Sequence, residues 1–260
     1  MNLLDARLGF IGVGNIANAL ITGLCSSATP PRHVTLSPRG AATAKALASR
    51  FAMVQVADSN QAVLDASDCV FLAVRPQVAR ETLGALRFDA SHRIVSLIAI
   101  LPLPQLATLV APAHVLSRAL PIPSVAKQLG PIAFMPPDPD LHALLATTGT
   151  PVPMNDDHQF ETMWSLTALI ASYFTLVGTA ASWATSQGVP RAEAERYATT
   201  MFHGIASPLA NPAANPGELA AEAQTKGGLN EQILCELTAA GSFDQVRAAL
   251  DRVLARLEAK

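Results

Sequence analysis

The chain has 260 residues and a formal net charge of −2, and it has no cluster of lysine or arginine, so we expect no nucleic-acid partner. Hydrophobic residues make up 50% of the chain and charged residues 15%, which favours extensive buried surface in one large domain or two medium ones. Three widely separated cysteines lack metal-ligand spacing, and a strand pattern that starts by Leu8 leaves no room for a signal peptide, so we expect no metal site and a cytoplasmic protein.

The first predicted strand, LGFI at 8–11, runs directly into a glycine turn and then into a helical pattern. This context gives meaning to a G-x-G-x-x-A match. Gly12 permits the tight turn, Gly14 lets the backbone approach a pyrophosphate, and Ala17 lets the helix pack closely on the strand. The helix N-terminus offers free amides to an anion. A dinucleotide site is the functional interpretation, and a purely structural turn is the alternative.

Strands and helices continue to alternate after this turn. The strand patterns cover 33–36, 53–57, 69–74 and 92–100, with helices predicted at 42–51 and 62–67. The alternation predicts an α/β fold with a doubly wound parallel sheet. We place this nucleotide-binding domain at residues 1–154.

The residues at the end of the second predicted strand distinguish an NAD site from an NADP site. NAD sites carry a carboxylate there for the ribose 2′-hydroxyl, whereas this strand ends in Ser37, Pro38 and Arg39. A hydroxyl and a guanidinium suit a 2′-phosphate. We therefore predict NADP(H), with an ordinary turn carrying an exposed arginine as the alternative.

Residues 155–260 read as an all-α domain. The helical patterns cover 156–190, 190–210, 215–224, 230–241 and 242–259, with Pro190 at a predicted N1 position. The apolar stretch 166–184 is interrupted by threonine, serine and glycine, which favours a buried interface helix over a membrane span. Since too many apolar positions on this helix face outward for a monomer, we predict a homodimer formed through the C-terminal helices.

The segment TKGGLNEQ, at 225–232, interrupts the helical pattern. Two adjacent glycines cost about 1 kcal/mol each in a helix interior relative to alanine, so they mark a loop. Thr225 would be either a ligand contact or a local turn hydroxyl. Asn230 would be either a ligand contact or the cap of the following helix.

Three motifs in order, GFIGVGNIANALITGL at 9–24, FLAVRPQ at 71–77 and RALPIPS at 118–124, resemble the pyrroline-5-carboxylate reductase family. The resemblance implies a Rossmann-type domain followed by a helical bundle that builds an interlocked dimer. It also implies a role in proline biosynthesis, with hydride transfer from a reduced nicotinamide to a cyclic imine that carries a carboxylate. The cofactor supplies the hydride chemistry, while the protein positions the substrate, excludes water and provides the electrostatic environment.

The resemblance also assigns residues. Those at the pyrophosphate are Gly12, Gly14, Asn15 and Ile16. Those at the adenosine ribose are Ser37 and Arg39. Those along the nicotinamide side are Ala73, Val74, Arg75 and Pro76, with a solvent-exposed strand-end cation as the alternative interpretation of Arg75.

The substrate side departs from the family. The family's Ser-Gly-Ser-Gly-Pro-Ala-Tyr run breaks the long helix, whereas TALIASYF at 167–174 predicts an unbroken one and keeps only Ser172 and Tyr173 as candidate contacts. Ile122 also replaces a family asparagine, which makes the predicted pocket more apolar.

The segment 225–232 aligns with the family loop whose hydroxyls and amides hold the substrate carboxylate. The resemblance assigns substrate binding to Gly227 and Gly228, and it makes Thr225, Lys226 and Asn230 the catalytic candidates. Because the family's serine, proline and threonines are replaced, the loop indicates a small imine substrate other than the family's usual one.

Two other functions fit parts of the pattern. A β-hydroxyacid dehydrogenase shares the glycine loop followed by a helical domain, but it requires a lysine on the long helix, where this chain has none. A non-catalytic NADPH-binding sensor or accessory protein would keep the nucleotide half and lose the substrate half.

Overall fold

The computed structural model describes residues 2–98, 100–211 and 213–259. The chain divides into two compact units, the first ending at Trp164 and the second spanning Ser165–Ala259. The first unit contains the sheet, and the second consists of helices.

In the part of the chain that the structure describes, eight strands form a single sheet in the order β3-β2-β1-β4-β5-β6-β7-β8. They are β1 (Arg7–Ile11), β2 (His33–Leu36), β3 (Val54–Val56), β4 (Cys69–Leu72), β5 (Arg93–Ser96), β6 (Val115–Pro121), β7 (Pro131–Met135) and β8 (Thr150–Pro153). All neighbouring strands are parallel except β6 and β7. The connection between these two contains only a 3₁₀ turn, Pro123–Lys127, which is too short for the crossover that a parallel pair requires.

Within the described residues, twelve α-helices accompany the sheet. They are α1 (Asn15–Cys25), α2 (Ala41–Arg50), α3 (Asn60–Asp65), α4 (Pro76–Gly84), α5 (Leu103–Val110), α6 (Pro139–Ala146), α7 (Asp157–Leu166), α8 (Leu169–Ser186), α9 (Arg191–Ala206), α10 (Pro216–Glu222), α11 (Leu229–Ala239) and α12 (Ser242–Glu258). A second 3₁₀ turn, Ser207–Ala210, follows α9.

Both faces of the sheet are buried. Phe10 and Phe71 stack on one face, with ring centroids 4.7 Å apart, in a core that also includes buried residues of α1, α2 and α6. Val70 and Leu72 belong to a second core with residues of α3, α4 and α5. Helices on both faces make this the predicted doubly wound α/β fold, with one antiparallel pair added.

The predicted strand at 92–100 is shorter in the structure, where β5 ends at Ser96. The Ser96 hydroxyl oxygen accepts a hydrogen bond from the Ile98 amide at 3.2 Å, so the backbone there turns toward a side chain and leaves the strand ladder. Residue 99 lies outside the described residues.

The prediction of one unbroken helix over 156–190 was wrong. A turn at Thr167 and Ala168 separates α7 from α8. The Ala168 amide donates to the Ser165 carbonyl at 3.1 Å, and the Ile170 amide donates to the Thr167 carbonyl at 3.2 Å. These i to i+3 bonds tighten the backbone without glycine or proline.

The predicted position of Pro190 was also wrong by one residue. Pro190 has φ −55° and ψ 138° and is the N-cap of α9, so Arg191 is the first helical residue. Pro216 does occupy the first position of α10, after Asn215, whose side chain accepts a hydrogen bond from the Gly217 amide at 2.9 Å.

A buried arginine attaches the start of α7 to the sheet. Arg118 of β6 is 2% exposed, and its Nη1 donates to Asp157 Oδ1 at 2.7 Å. Its guanidinium lies 4.4 Å from the centroid of the Phe160 ring. Burial lowers the pKa of Arg118, while the Asp157 carboxylate acts against that shift. The sequence patterns did not single out this interaction.

The helices of the second unit expose a large apolar surface. Large hydrophobic side chains that are more than half exposed there are Phe174, Leu176, Trp183, Tyr197, Ile205, Leu209, Leu229, Ile233 and Phe243. In the described part of the first unit, Leu129 alone is so exposed. Taken together, α7 and α8 are long and apolar enough to cross a membrane by length and composition, with 6% of the apolar window buried within this chain.

Candidate functional site

The first candidate site lies where the strand order reverses. The chain passes from β1 to β2 and β3 on one side, and β4 then pairs with the other side of β1. Such a switch point opens a crevice at the carboxyl ends of the strands. A cleft of about 410 Å³ is found there, and its lining residues are Gly12, Val13, Gly14, Arg39, Gly40, Ala73, Val74, Arg75 and Val78.

Gly12 forms the tight turn after β1. Its φ is +94°, and a Cβ there would lie 2.7 Å from the Ala73 carbonyl oxygen. The Gly12 amide donates to Ser37 Oγ at 2.9 Å, and Ser37 is fully buried. The Ser37 hydroxyl therefore holds the glycine turn in place, a contact that the sequence pattern did not predict.

Gly14 has a different reason to be glycine. Its φ is −82°, an ordinary value for any residue, and a Cβ there would meet no protein atom within 4 Å. Neither backbone strain nor packing within the protein explains the missing side chain. The open space in front of the Gly14 backbone matches the space that a pyrophosphate needs.

The cleft lining is positively charged. Arg39 and Arg75 both line it and both are exposed, and none of its lining residues is acidic. Neither guanidinium has an ion pair within the residues that the structure describes. Such a lining suits a ligand with several phosphate groups.

The remaining predicted cofactor residues lie beside this cleft. Asn15 and Ile16 are the first two residues of α1, so their amides belong to the unpaired first turn of that helix. Pro76 is the first residue of α4, directly after Arg75 as its N-cap. The structure thus places the predicted cofactor residues at or beside one cleft, except Ser37, which is fully buried against Gly12 and does not line it. Their roles as cofactor contacts stay predictions.

Gly40 is a lining residue that the sequence reasoning missed. It has φ +86°, is the N-cap of α2, and a Cβ there would lie 3.2 Å from the Val13 carbonyl oxygen. A glycine directly after Arg39 and before a helical pattern is a signal that could have identified it.

The predicted substrate residues lie in the second unit, at two places in the chain. Ser172 and Tyr173 are exposed residues of α8. The Tyr173 ring lies edge-on to Phe202 of α9, with centroids 6.1 Å apart. The other candidates belong to the loop between α10 and α11.

This loop is a tight turn with internal hydrogen bonds. The Gly228 amide donates to the Thr225 carbonyl at 2.7 Å, and Gly227 at the third position has φ +72°, as a type II turn requires. The Gly227 amide donates to Glu231 Oε2 at 2.6 Å. The hydroxyl of Thr225 and the ammonium of Lys226 make no hydrogen bond within the described residues, and both side chains are exposed.

The alternative interpretation of Asn230 as a helix cap was wrong. Gly228 is the N-cap of α11, and Asn230 is the second helical residue. The Asn230 side-chain amide donates to the Ala223 carbonyl at 2.9 Å, so it joins α11 to the end of α10. Glycine is an accepted N-cap residue, so the helix can begin directly after Gly228. The cap therefore lies two residues before Asn230.

Two family models match two successive parts of the chain. Residues 7–100 match a model described as NADP oxidoreductase, coenzyme F420-dependent, and residues 157–260 match one described as pyrroline-5-carboxylate reductase dimerisation. A pyrroline-5-carboxylate reductase of Pseudomonas aeruginosa is 26% identical over 255 residues, which cover 94% of this chain and 93% of that protein. The chain belongs to the pyrroline-5-carboxylate reductase family.

Solved structures show the same fold. The 1-pyrroline-5-carboxylate reductase of Streptococcus pyogenes has a TM-score of 0.82 at 24% identity, covering 99% of this chain and 100% of that one. A Plasmodium falciparum pyrroline carboxylate reductase with NADP bound has a TM-score of 0.80 at 14% identity, covering 98% and 97%. An Aspergillus terreus reductive aminase in complex with NADPH4, cyclohexanone and allyl amine has a TM-score of 0.59 at 20% identity, covering 97% and 90%.

Membership of the pyrroline-5-carboxylate reductase family makes this protein an oxidoreductase of the NAD(P)-dependent type. The family's dimerisation domain covers α7 to α12. It therefore includes every helix of the second unit that carries the exposed apolar side chains.

Proposed function

We propose that this protein is an NADPH-dependent reductase that transfers hydride to the C=N bond of a small imine, and that this imine is not pyrroline-5-carboxylate itself. We further propose that residues 1–154 form the nucleotide-binding domain and residues 155–260 form the helical substrate and dimerisation domain, in a cytoplasmic homodimer. The start of α7 at Asp157 supports this boundary, although the two compact units divide later, after Trp164.

The observation that carries the cofactor proposal is the pairing of Gly14 with Arg39 in one cleft. Gly14 leaves open space at the start of α1, where the helix amides and dipole favour a pyrophosphate. Arg39 offers a planar donor pair to a 2′-phosphate, and no carboxylate follows β2 to accept a bond from a 2′-hydroxyl. These residues fit NADPH, which would supply the hydride when bound.

Arg39→Ala is expected to weaken NADPH binding about 30-fold, because a charge-assisted hydrogen bond to phosphate is lost. NADH has no 2′-phosphate, so we expect its affinity to change less than about threefold. Fluorescence titration with each nucleotide measures both values.

Arg32→Ala is the matched control for that experiment. Arg32 is also exposed, but it precedes β2 and pairs with Asp5 at 3.5 Å. The control should change neither affinity. Equal losses of NADPH and NADH in the Arg39 variant would show that Arg39 does not read the 2′-phosphate.

The substrate side must hold an imine carbon against the nicotinamide, because position supplies much of the rate in hydride transfer. We propose Ser172 and Tyr173 of α8 and the loop from Thr225 to Asn230 as the groups that bind and orient the imine. Lys226 carries the only ammonium of this set, which makes it the candidate proton donor to the product nitrogen.

A homodimer would cover the exposed apolar surface of the second unit. Trp183→Glu, on α8, is expected to shift the protein toward monomer, since a buried unpaired carboxylate opposes association. Light scattering coupled to size exclusion measures the mass. Gln187→Glu, at the C-cap of the same helix, should leave the mass unchanged, and an unaltered dimer in the Trp183 variant would contradict this placement of the interface.

A non-catalytic NADPH-binding protein is the second candidate, favoured by the internal hydrogen bonds of the 225–231 loop. A β-hydroxyacid dehydrogenase is less favoured, since α7 and α8 carry no lysine. Tight NADPH binding without NADPH oxidation across a panel of cyclic and acyclic imines would favour the sensor over the reductase.

A further inference from the structure

In the 225–231 loop, the amide of Gly227 already donates to a carboxylate of the protein itself. Glu231 is the third residue of α11, and its Oε2 lies 2.6 Å from the Gly227 amide nitrogen. An acidic residue at this helix position commonly reaches back to the amides that precede the helix. Here Glu231 accepts a hydrogen bond from the amide of Gly227, the residue before the N-cap Gly228.

The amides of the glycine pair are therefore both occupied within the loop. Gly227 donates to Glu231, and Gly228 donates to the Thr225 carbonyl at 2.7 Å. Neither remains for a substrate carboxylate. The amides left over belong to the first turn of α11, which is the turn that carries the Glu231 carboxylate.

Two side chains around the turn also disfavour the binding of a substrate carboxylate. Asn230 gives its amide hydrogen to the Ala223 carbonyl, and Leu229, which is 84% exposed, presents an apolar surface at the start of the helix. An anionic substrate would approach a like charge and an apolar side chain, with the Lys226 ammonium as the opposing attraction. A neutral imine would meet neither penalty.

We infer that Glu231 determines substrate specificity. Its carboxylate occupies the Gly227 amide and places a negative charge in the loop, so that the enzyme selects imines without a carboxylate. This inference rests on the proposed reductase function and narrows its substrate class. Rejection by a fixed like charge is a common means of selecting one ligand over another.

The test compares pairs of cyclic imines that carry either a methyl group or a carboxylate at the same ring carbon. The probes are two pairs, 2-methyl-1-pyrroline with 1-pyrroline-2-carboxylate, and 5-methyl-1-pyrroline with 1-pyrroline-5-carboxylate, each measured by NADPH oxidation with the full-length protein. We expect kcat/KM to favour the methyl compound at least about tenfold in the pair that the enzyme accepts. Glu231→Gln keeps an oxygen acceptor for Gly227 and removes the charge, so it should shift the ratio about tenfold toward the carboxylate.

Glu236→Gln is the matched control. Glu236 is an exposed residue of the same helix and accepts a hydrogen bond from Gln232 at 2.9 Å. The control should leave the ratio unchanged, and all three proteins should bind NADPH equally. A ratio unchanged by Glu231→Gln overturns the inference alone. A wild-type enzyme that prefers the carboxylate also overturns the inference, and a preference for 1-pyrroline-5-carboxylate overturns the proposed exclusion of that substrate as well, while hydride transfer to an imine still stands. Intact NADPH binding without oxidation by any imine overturns both.

Discussion

Gly14→Asp is expected to abolish nucleotide binding, with affinity for both NADPH and NADH falling at least about hundredfold. The new carboxylate would occupy the open space at the N-terminus of α1 and repel the pyrophosphate that we place there. The fold should survive, because the Gly14 backbone has φ −82° and a Cβ meets no protein atom within 4 Å. Nucleotide titration and thermal unfolding measure the two effects separately.

Gly84→Asp is the matched control for Gly14→Asp. Gly84 is the last residue of α4, and a Cβ there also meets nothing within 4 Å. The same charge is added at the far end of a helix whose first residues border the cleft. We expect nucleotide affinity to stay within about twofold of the wild type, since exposed charges beyond about 10 Å are screened. Unchanged NADPH affinity in the Gly14 variant would refute the assignment of the cleft.

Gly12→Ala is expected to act on the fold, with a loss of about 3 kcal/mol in the free energy of unfolding. Alanine is strained at φ +94°, and its Cβ would lie 2.7 Å from the Ala73 carbonyl oxygen, so β1 and β4 would have to separate. For a chain of this size, that loss lowers the unfolding midpoint by about 10 °C.

The control for Gly12→Ala is the same substitution two residues further along. Gly14→Ala should change the free energy of unfolding by less than about 1 kcal/mol, because only the preference of an N-cap is affected. A Gly12 variant as stable as the wild type would mean that the turn after β1 can relax without disturbing the neighbouring strand.

The nucleotide half could be predicted because its patterns are local. LGFI followed by glycine favours a strand and a turn through its own residues, and the continuous apolar run from Cys69 indicates a strand buried on both faces. The order of these elements fixes the sheet, and the sheet brings Arg39 and Arg75 to one edge. The positions of Arg39 and Arg75 beside the glycine turn therefore follow from the sequence, whereas the buried contact of Ser37 and the lining position of Gly40 do not.

The helical half depends on contacts that leave no local pattern. The turn at Thr167 has no glycine or proline to mark it, and the N-cap of α11 is Gly228, not Asn230 as the alternative interpretation had it. The Glu231 contact with Gly227 spans one turn, and it changes how the whole loop is interpreted. The Arg118 pair with Asp157 joins residues 39 positions apart, which no periodicity in either segment reveals.

The buried hydrogen bond between Ser37 and Gly12 restricts how this protein could change its coenzyme during evolution or in the laboratory. An acid placed at Ser37 to imitate an NAD site would put a charge in a fully buried position and replace the hydroxyl that accepts the Gly12 amide hydrogen bond. We therefore expect a substitution at Ser37 to disturb the turn that would hold the pyrophosphate as well as the preference for NADPH over NADH. We expect a change of coenzyme that preserves binding to begin at Arg39, which is exposed.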